Sequence, residues 1–341
     1  MVLVDSAYIN NGGGLILLEY LIDVLEKNNI PVFYIFDERC KESFKQIPAA
    51  RKFVMKASLY NRWKFYRNHN NKFTKVFCFG NIPPPIQLEA KVYTYFHQRL
   101  FLEIPSETSL KNKAIFLVKS KVWKLFKKNT DFWMVQTNII AKDLSEKLNI
   151  SLSKVLVLPF YPPLRDDREE QIRQQNSFLY VSSGNLHKNH EILIQAFCEF
   201  FNQFKKGSLG LTIGEEFPDL KELIAKKNEE GYPIKNFGHV DRNDIAEIYH
   251  QYEYHIYPSL SESFGLGLLE SIECGCKIIG ADLPYTYAVC SPSLHFNPSS
   301  VESIKEAFRK AILKEGKETI QISKNEINQL LEILNNGKNT K

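Results

Sequence analysis

The chain has 341 residues, enough for two domains of ordinary size, and its 44% hydrophobic and 24% charged content is that of a globular protein. No apolar run approaches the roughly 20 residues of a membrane-spanning helix, and the opening MVLVDSAYIN has no basic n-region or cleavage site, so no signal peptide is expected. Net charge is +5 but uneven: residues 1–160 carry 24 Lys/Arg against 13 Asp/Glu, residues 161–341 carry 20 against 26, and the first half is expected to meet something anionic.

In chain order, Val2–Asp5 reads as a strand, Ser6–Gly14 as a glycine-rich loop and Leu15–Lys27 as a helix, the opening of a nucleotide-fold half-domain. As a dinucleotide fingerprint it is poor, because Leu17 stands where the third glycine belongs. Gly12, Gly13 and Gly14 are a candidate phosphate or acceptor loop, and a tight turn without a ligand is the equal alternative. Pro31–Phe36, Val76–Phe79 and Val92–Phe96 are the next strands, the last running into His97. Ligands bind at the carboxyl ends of strands in such sheets, which makes His97 a candidate beside the plainer reading of a satisfied buried histidine. Residues 110–128 predict a basic amphipathic helix with Ile115, Val118, Val122, Leu125 and Phe126 as its stripe and seven lysines around it. That helix and the aromatic-basic run Arg51–Lys72 are candidates for an anionic membrane surface. Nucleic acid is not expected, since no recognition motif accompanies the charge. Asp131–Gln136 and Val155–Pro159, with the helix Ile139–Leu148 between them, close a first domain at about residue 160.

Residues 161–176, rich in proline and charge, read as a linker. The alternation then restarts with Ser177–Val181, the loop SSGNLHKNH and the helix Glu191–Phe204, which places Lys188 to reach an anion at that helix start. Leu209–Ile213, a helix around Leu220–Lys227, Ile234–Phe237 with Gly238, the helix Asp244–His250 and the strand Tyr254–Tyr257 follow. Beyond it, Ser263, Phe264, Gly265, Leu266 and Gly267 form a polar glycine loop in which a helix begins. Such a start points N–H groups and a partial positive charge outward, which suits a phosphate. Glu262 precedes the loop and Glu270 lies eight positions on, inside the helix. Two acids around an anion-binding loop make sense if the ligand also carries hydroxyls, which carboxylates accept strongly. The bland alternative is a loop acid and an exposed helix acid. Lys277–Ala281 is a further strand and Leu283–Tyr285 a loop; helices Ser303–Leu313 and Ser323–Leu334 end the chain, with 314–341 taken as a C-terminal segment after a 177–313 domain. Cys274-Gly-Cys276 has no second pair at ligand spacing and reads as buried small residues; six scattered cysteines suit a reduced, cytosolic protein.

Glu262 to Glu270 resembles the E-x7-E motif of GT-B retaining glycosyltransferases, glycosyltransferase family 4 (glycosyl transferases group 1), of bacterial surface-polysaccharide type. HKNH before an LIQAF-like helix is similar to that family's first C-domain loop, and Gly238-His239-Val240 to its strand-end glycine turn. The resemblance is strongest over 177–290. It implies an α/β GT-B fold, two doubly wound Rossmann-like domains facing an interdomain cleft, with a terminal helix returning to the first. It implies a sugar moved from a nucleotide-sugar to an acceptor hydroxyl with retention; the basic first half and the absence of an export signal add the expectation that the acceptor is a lipid-linked glycan of surface-polysaccharide synthesis. Glu262 would be the sugar-side acid and Glu270 the ribose-side acid, with His97 near the donor sugar. Lys188 would bind the diphosphate, with Asn185, Ser183, Gly238 and the 263–267 loop completing the donor site. One departure is Ser183, where the family commonly has arginine. With no D-x-D motif in the sequence, neither a metal nor another cofactor is expected; charge on the leaving group would fall to Lys188, loop amides and the helix dipole. A cytoplasmic location, peripheral at the membrane, goes with the basic first half. A GT-B sugar-nucleotide epimerase and a catalytically silent sugar-nucleotide-binding subunit are the rival readings.

Overall fold

The computed structural model describes residues 1–102, 120–164 and 172–335. It divides into two compact units, Met1–Pro162 with Lys324–Lys341, and Pro163–Ser323.

In the first unit seven strands form one parallel sheet: β1 Val2–Ser6, β2 Val32–Asp37, β3 Lys52–Met55, β4 Lys75–Cys78, β5 Lys91–Phe96, β6 Phe132–Val135 and β7 Val155–Val157. Their order is β3-β2-β1-β4-β5-β6-β7, so the chain reverses direction across the sheet beside β1, where ligands bind in open α/β sheets. β1 and β4 are buried almost throughout, as expected of strands covered on both faces. The first helix, Gly12–Lys27, begins earlier than its periodicity predicts. The three glycines are its first turn, entered at Gly12 with φ +59. Side chains cap the next two long helices: Ser58 accepts from Asn61 N–H before Leu59–His69, and Thr137 from Ile140 N–H before Asn138–Leu148.

Two expectations in this unit change. The run Arg51–Lys72 is more than a charged surface: it supplies the edge strand β3 and the helix Leu59–His69, and Arg62 is fully buried. Of the expected helix over 110–128, residues 110–119 lie outside the described residues. In the described part Trp123 is the buried residue, against Phe96 and Trp133, whereas Leu125 is exposed.

The second unit holds a six-stranded parallel sheet of β8 Gln174–Tyr180, β9 Ser208–Leu211, β10 Ile234–Asn236, β11 Tyr252–Tyr257, β12 Lys277–Ala281 and β14 Leu294–Phe296, in the order β10-β9-β8-β11-β12-β14. A two-stranded antiparallel ladder joins β13 Cys290–Ser291 to β15 Ile320–Gln321. Leu283 to Tyr285 is not simply loop; Pro284 occupies the first position of a short helix, Pro284–Val289, where its missing N–H costs nothing. Cys274 and Cys276 are buried with Tyr249 and Tyr252, and all six cysteines are free thiols. After residue 323 the chain returns to the first unit. Glu326 N–H donates to the Pro159 carbonyl at 2.7 Å, Lys75 reaches the Ile333 carbonyl, and Ile327, Leu330, Leu331 and Leu334 of the last helix, Ile327–Asn335, are buried. No helix among the described residues is long and apolar enough to cross a membrane.

Candidate functional site

The second unit brings most of the expected residues together at the carboxyl ends of β8, β10 and β11. β11 ends at Tyr257, and Ser259 anchors the turn that follows by donating to the His187 carbonyl. Leu260 N–H donates to the same carbonyl at 2.8 Å, which ties the loop after β11 to the loop after β8. Lys188 and Glu262, 74 positions apart, meet there: Lys188 Nζ donates to Glu262 Oε1 at 2.6 Å, and both side chains are mostly buried. The Tyr257 hydroxyl donates to the same oxygen at 3.1 Å, and its ring lies 5.9 Å from the lysine nitrogen. Burial, with Glu262 nearby, holds the Tyr257 phenol well above its usual pKa, so it serves as a donor.

Gly265 turns the chain into the helix Leu266–Glu273 in the left-handed region, φ +85, which glycine adopts at little cost. No side chain caps this helix. Gly267 packs closely, since a Cβ there would stand 3.2 Å from the Tyr257 ring and the ring would have to shift by a few tenths of an ångström. His255, fully buried on β11, donates from Nδ1 to Ser271 Oγ at 2.8 Å, while Nε2 accepts from Val181 N–H at 3.4 Å. Ser271 in turn donates to the Leu268 carbonyl, so this histidine pins the helix to the sheet. Burial lowers its pKa to about 3.

Glu270, the second acid, is buried in the middle of that helix, not exposed on it, and pairs with Arg242. The sequence reading did not name Arg242; it opens the helix Arg242–Gln251 just beyond Gly238. Gly238 has φ +72 and donates its N–H to Asn236 Oδ1 at 3.2 Å. Ser183 and Asn185 are exposed on the β8 loop and bonded to each other, Asn185 Nδ2 donating to Ser183 Oγ at 2.8 Å. Asn189, in the left-handed region, clamps the loop by donating to the Pro258 and Pro298 carbonyls. The arrangement is therefore a glycine turn opening an uncapped helix, flanked by two carboxylate–cation pairs. It offers N–H donors and lysine to an anion, and carboxylate oxygens to hydroxyls.

In the first unit the glycine turn and His97 also meet. A Cβ on Gly14 would stand 3.2 Å from His97 Cε1, whereas the space beside Gly12 and Gly13 is open. Asn81, buried and left-handed at φ +65, accepts from His97 N–H through Oδ1 at 2.7 Å. His97 Nε2 lies 3.1 Å from the Phe79 carbonyl and 3.3 Å from Asn81 Nδ2, so it donates to the first in one tautomer and accepts from the second in the other. Burial pushes its pKa down to about 4, opposed by the Phe79 carbonyl, and the ring is neutral near pH 7. A left-handed asparagine after a glycine at a strand end was the available signal for Asn81.

Comparison with known proteins adds a family match. The family described as "Glycosyl transferases group 1" matches residues 165–329. The chain is 27% identical over 190 residues to the UDP-N-acetylglucosamine--peptide N-acetylglucosaminyltransferase GtfA subunit of Streptococcus pneumoniae serotype 4, covering 53% of this chain and 37% of that protein. It is 26% identical over 149 residues to the lipopolysaccharide glucosyltransferase WaaG of Escherichia coli K12, covering 41% and 38%. The matched stretches thus span little more than a third of those relatives. The crystal structure of pneumococcal O-GlcNAc transferase GtfA in complex with UDP and GlcNAc superposes with a TM-score of 0.65 at 15% identity, covering 92% of each chain. Such likeness establishes the fold: two Rossmann-like units of GT-B type.

Proposed function

On the premise that residues 165–329 match the glycosyl transferases group 1 family, we propose that the protein is a retaining glycosyltransferase that moves a sugar from a nucleotide-sugar to a glycan hydroxyl. The observation that carries this reading is the pair of carboxylates, Glu262 and Glu270, each held by a cation on either side of the glycine turn at Gly265. A nucleotide-sugar carries what such a site selects: a diphosphate for Lys188 and the helix N-terminus, ribose hydroxyls for Glu270 and sugar hydroxyls for Glu262. In the first unit, His97, neutral because burial lowers its pKa to about 4, is the proposed contact for a sugar hydroxyl.

In the transfer the bond between the anomeric carbon and the leaving phosphate oxygen breaks, and the acceptor oxygen bonds to that carbon on the same face. The acceptor proton passes to the departing phosphate, whose charge Lys188 and the loop amides neutralise. No metal or other cofactor has a role in this scheme. Retention and metal independence are tested together by NMR of the product's anomeric proton from an EDTA-treated reaction. An inverted product, or turnover restored only by a divalent cation, overturns them.

The acceptor we propose is a lipid-linked glycan of a surface polysaccharide, met at the inner face of the membrane. Supporting this are relatives named as acting on lipopolysaccharide and O-antigen, and the basic first half. On the helix Leu59–His69, Tyr60, Trp63, Lys64 and Arg67 recur at one-face spacing, with Tyr60 stacked on Trp63 and Arg67 over the Trp63 ring at 4.9 Å. Aromatic and cationic side chains together suit a headgroup layer. Sedimentation with anionic but not neutral vesicles is expected, and equal neglect of both contradicts it.

A further inference from the structure

Glu270 needs a partner to be buried as a carboxylate, and its partner stands in an unusual place. Arg242 is the first residue of its helix, Arg242–Gln251, where a cation meets the positive end of the helix dipole. Its position does nothing for that helix, whose N-cap residue Asp241 makes no side-chain cap bond and whose first turn also carries Asp244. Across to the helix Leu266–Glu273, Arg242 Nη1 donates to Glu270 Oε1. The acid is 9% exposed and the arginine 26%, so the pair sits at the edge of the core with the guanidinium on the wetter side.

We infer that Arg242 is the positioning residue of the donor site, fixing the Glu270 carboxylate by one oxygen so that Oε2 accepts from the ribose diol of the nucleotide. The inference rests on the proposed role of Glu270. Two physical consequences follow from the geometry. First, a glutamate side chain held at one oxygen loses its rotamer freedom before the ligand arrives, so less is lost on binding. Second, a diphosphate brings negative charge into a site that already contains two carboxylates. With Lys188 on Glu262 and Arg242 on Glu270, each acid is neutralised beforehand. Arg242 would touch neither the anomeric carbon nor the leaving oxygen. Its effect should fall on donor binding and on discrimination of ribose from deoxyribose, with kcat nearly spared.

The test is titration of UDP, 2′-deoxy-UDP, GDP and 2′-deoxy-GDP into wild type, Glu270→Gln, Arg242→Gln and Arg242→Lys, followed by steady-state kinetics. Wild type is expected to prefer a ribonucleotide over its deoxy form by roughly tenfold or more, the worth of a charge-assisted hydrogen bond. Both glutamine variants should flatten that preference by weakening only the ribonucleotide. Arg242→Lys, which keeps the charge without the planar fork, should recover part of it and guards against a glutamine variant that fails to fold. If Glu270→Gln loses the preference while both Arg242 variants retain it, Arg242 is structural and the inference fails alone. If Glu270→Gln also retains it, or wild type shows none, the ribose role of Glu270 falls and takes the inference with it.

Discussion

Lys188 Nζ and Glu262 Oε1 lie 2.6 Å apart, joining the loops that follow β8 and β11, and the Tyr257 hydroxyl shares the same carboxylate oxygen. Because the pair is only 12–15% exposed, each partner depends on the other for compensation of its charge. Lys188→Met should therefore weaken donor binding by tenfold or more, on the order of a lost charge-assisted bond. Glu262→Gln keeps a neutral partner for the lysine and should lower kcat more than it raises the donor KM. Calorimetric titration of the nucleotide with parallel kinetics separates the two; equal effects on KM alone would remove Glu262 from the chemistry.

The glycines make opposite predictions. Gly13 has open space at its Cβ position and sits in the first turn of Gly12–Lys27, so alanine should fold and gain up to about 1 kcal/mol of helix propensity. If that turn approaches a ligand, Gly13→Ala loses activity while its Tm holds or rises; unchanged activity makes it a plain turn. Gly267→Ala meets the Tyr257 ring and should disturb the bond from Tyr257 to Glu262, lowering turnover together with Tm.

Arg62 lies fully buried under β1, donating Nε and Nη2 to Asp5 Oδ2 at 2.9 and 2.7 Å, with the Tyr66 hydroxyl on the same oxygen at 2.6 Å. Arg62→Met strands the Asp5 carboxylate in the core and should cost about 3–5 kcal/mol of stability. Urea unfolding measures it; a loss below about 1 kcal/mol would mean that the cluster is not closed to water.

Stability should fall on mild acidification. His190 and His255 are buried, each with a pKa lowered to about 3 from 6.5 by burial, and in His190 also by Lys188. The unfolded chain takes up these protons below its own pKa, whereas the folded chain does not until far lower pH. Each histidine thus favours folding fully above pH 6.5, and that contribution shrinks as pH falls from 6.5 toward 3. At pH 5 the loss is on the order of 2 kcal/mol per histidine. His255→Gln should flatten the dependence of Tm on pH between 7 and 5; an unchanged slope contradicts the assignment.

Much of this was legible in the residues, for identifiable reasons. Apolar strand runs such as VYTYF and YHIY, buried on both faces, announced β5 and β11, and alternation with helices implied parallel sheets. Lys188 and Glu262 each read as residues beyond a strand's carboxyl end, whereas the ion pair that joins them across 74 positions does not show in the sequence. What stayed hidden depended on contacts distant in sequence. Arg62 looks like its exposed neighbours until Asp5, 57 positions away, is folded beneath it. Arg242 is one arginine in a charged helix start until Glu270 is placed across from it. The edge strand β3 escaped because Phe53 and Val54 are exposed and flanked by lysines, so no buried face marks it.

The central claim, that Glu262 to Glu270 with Lys188 and Arg242 binds a nucleotide-sugar, is met most directly by a thermal-shift panel. UDP-, GDP-, dTDP- and CMP-sugars would be added in EDTA to wild type and to Glu270→Ala. A ligand that binds only the folded state raises its midpoint by mass action. One nucleotide family should raise the wild-type Tm and raise that of Glu270→Ala far less. No shift with any donor, or an equal shift in the variant, would contradict the account.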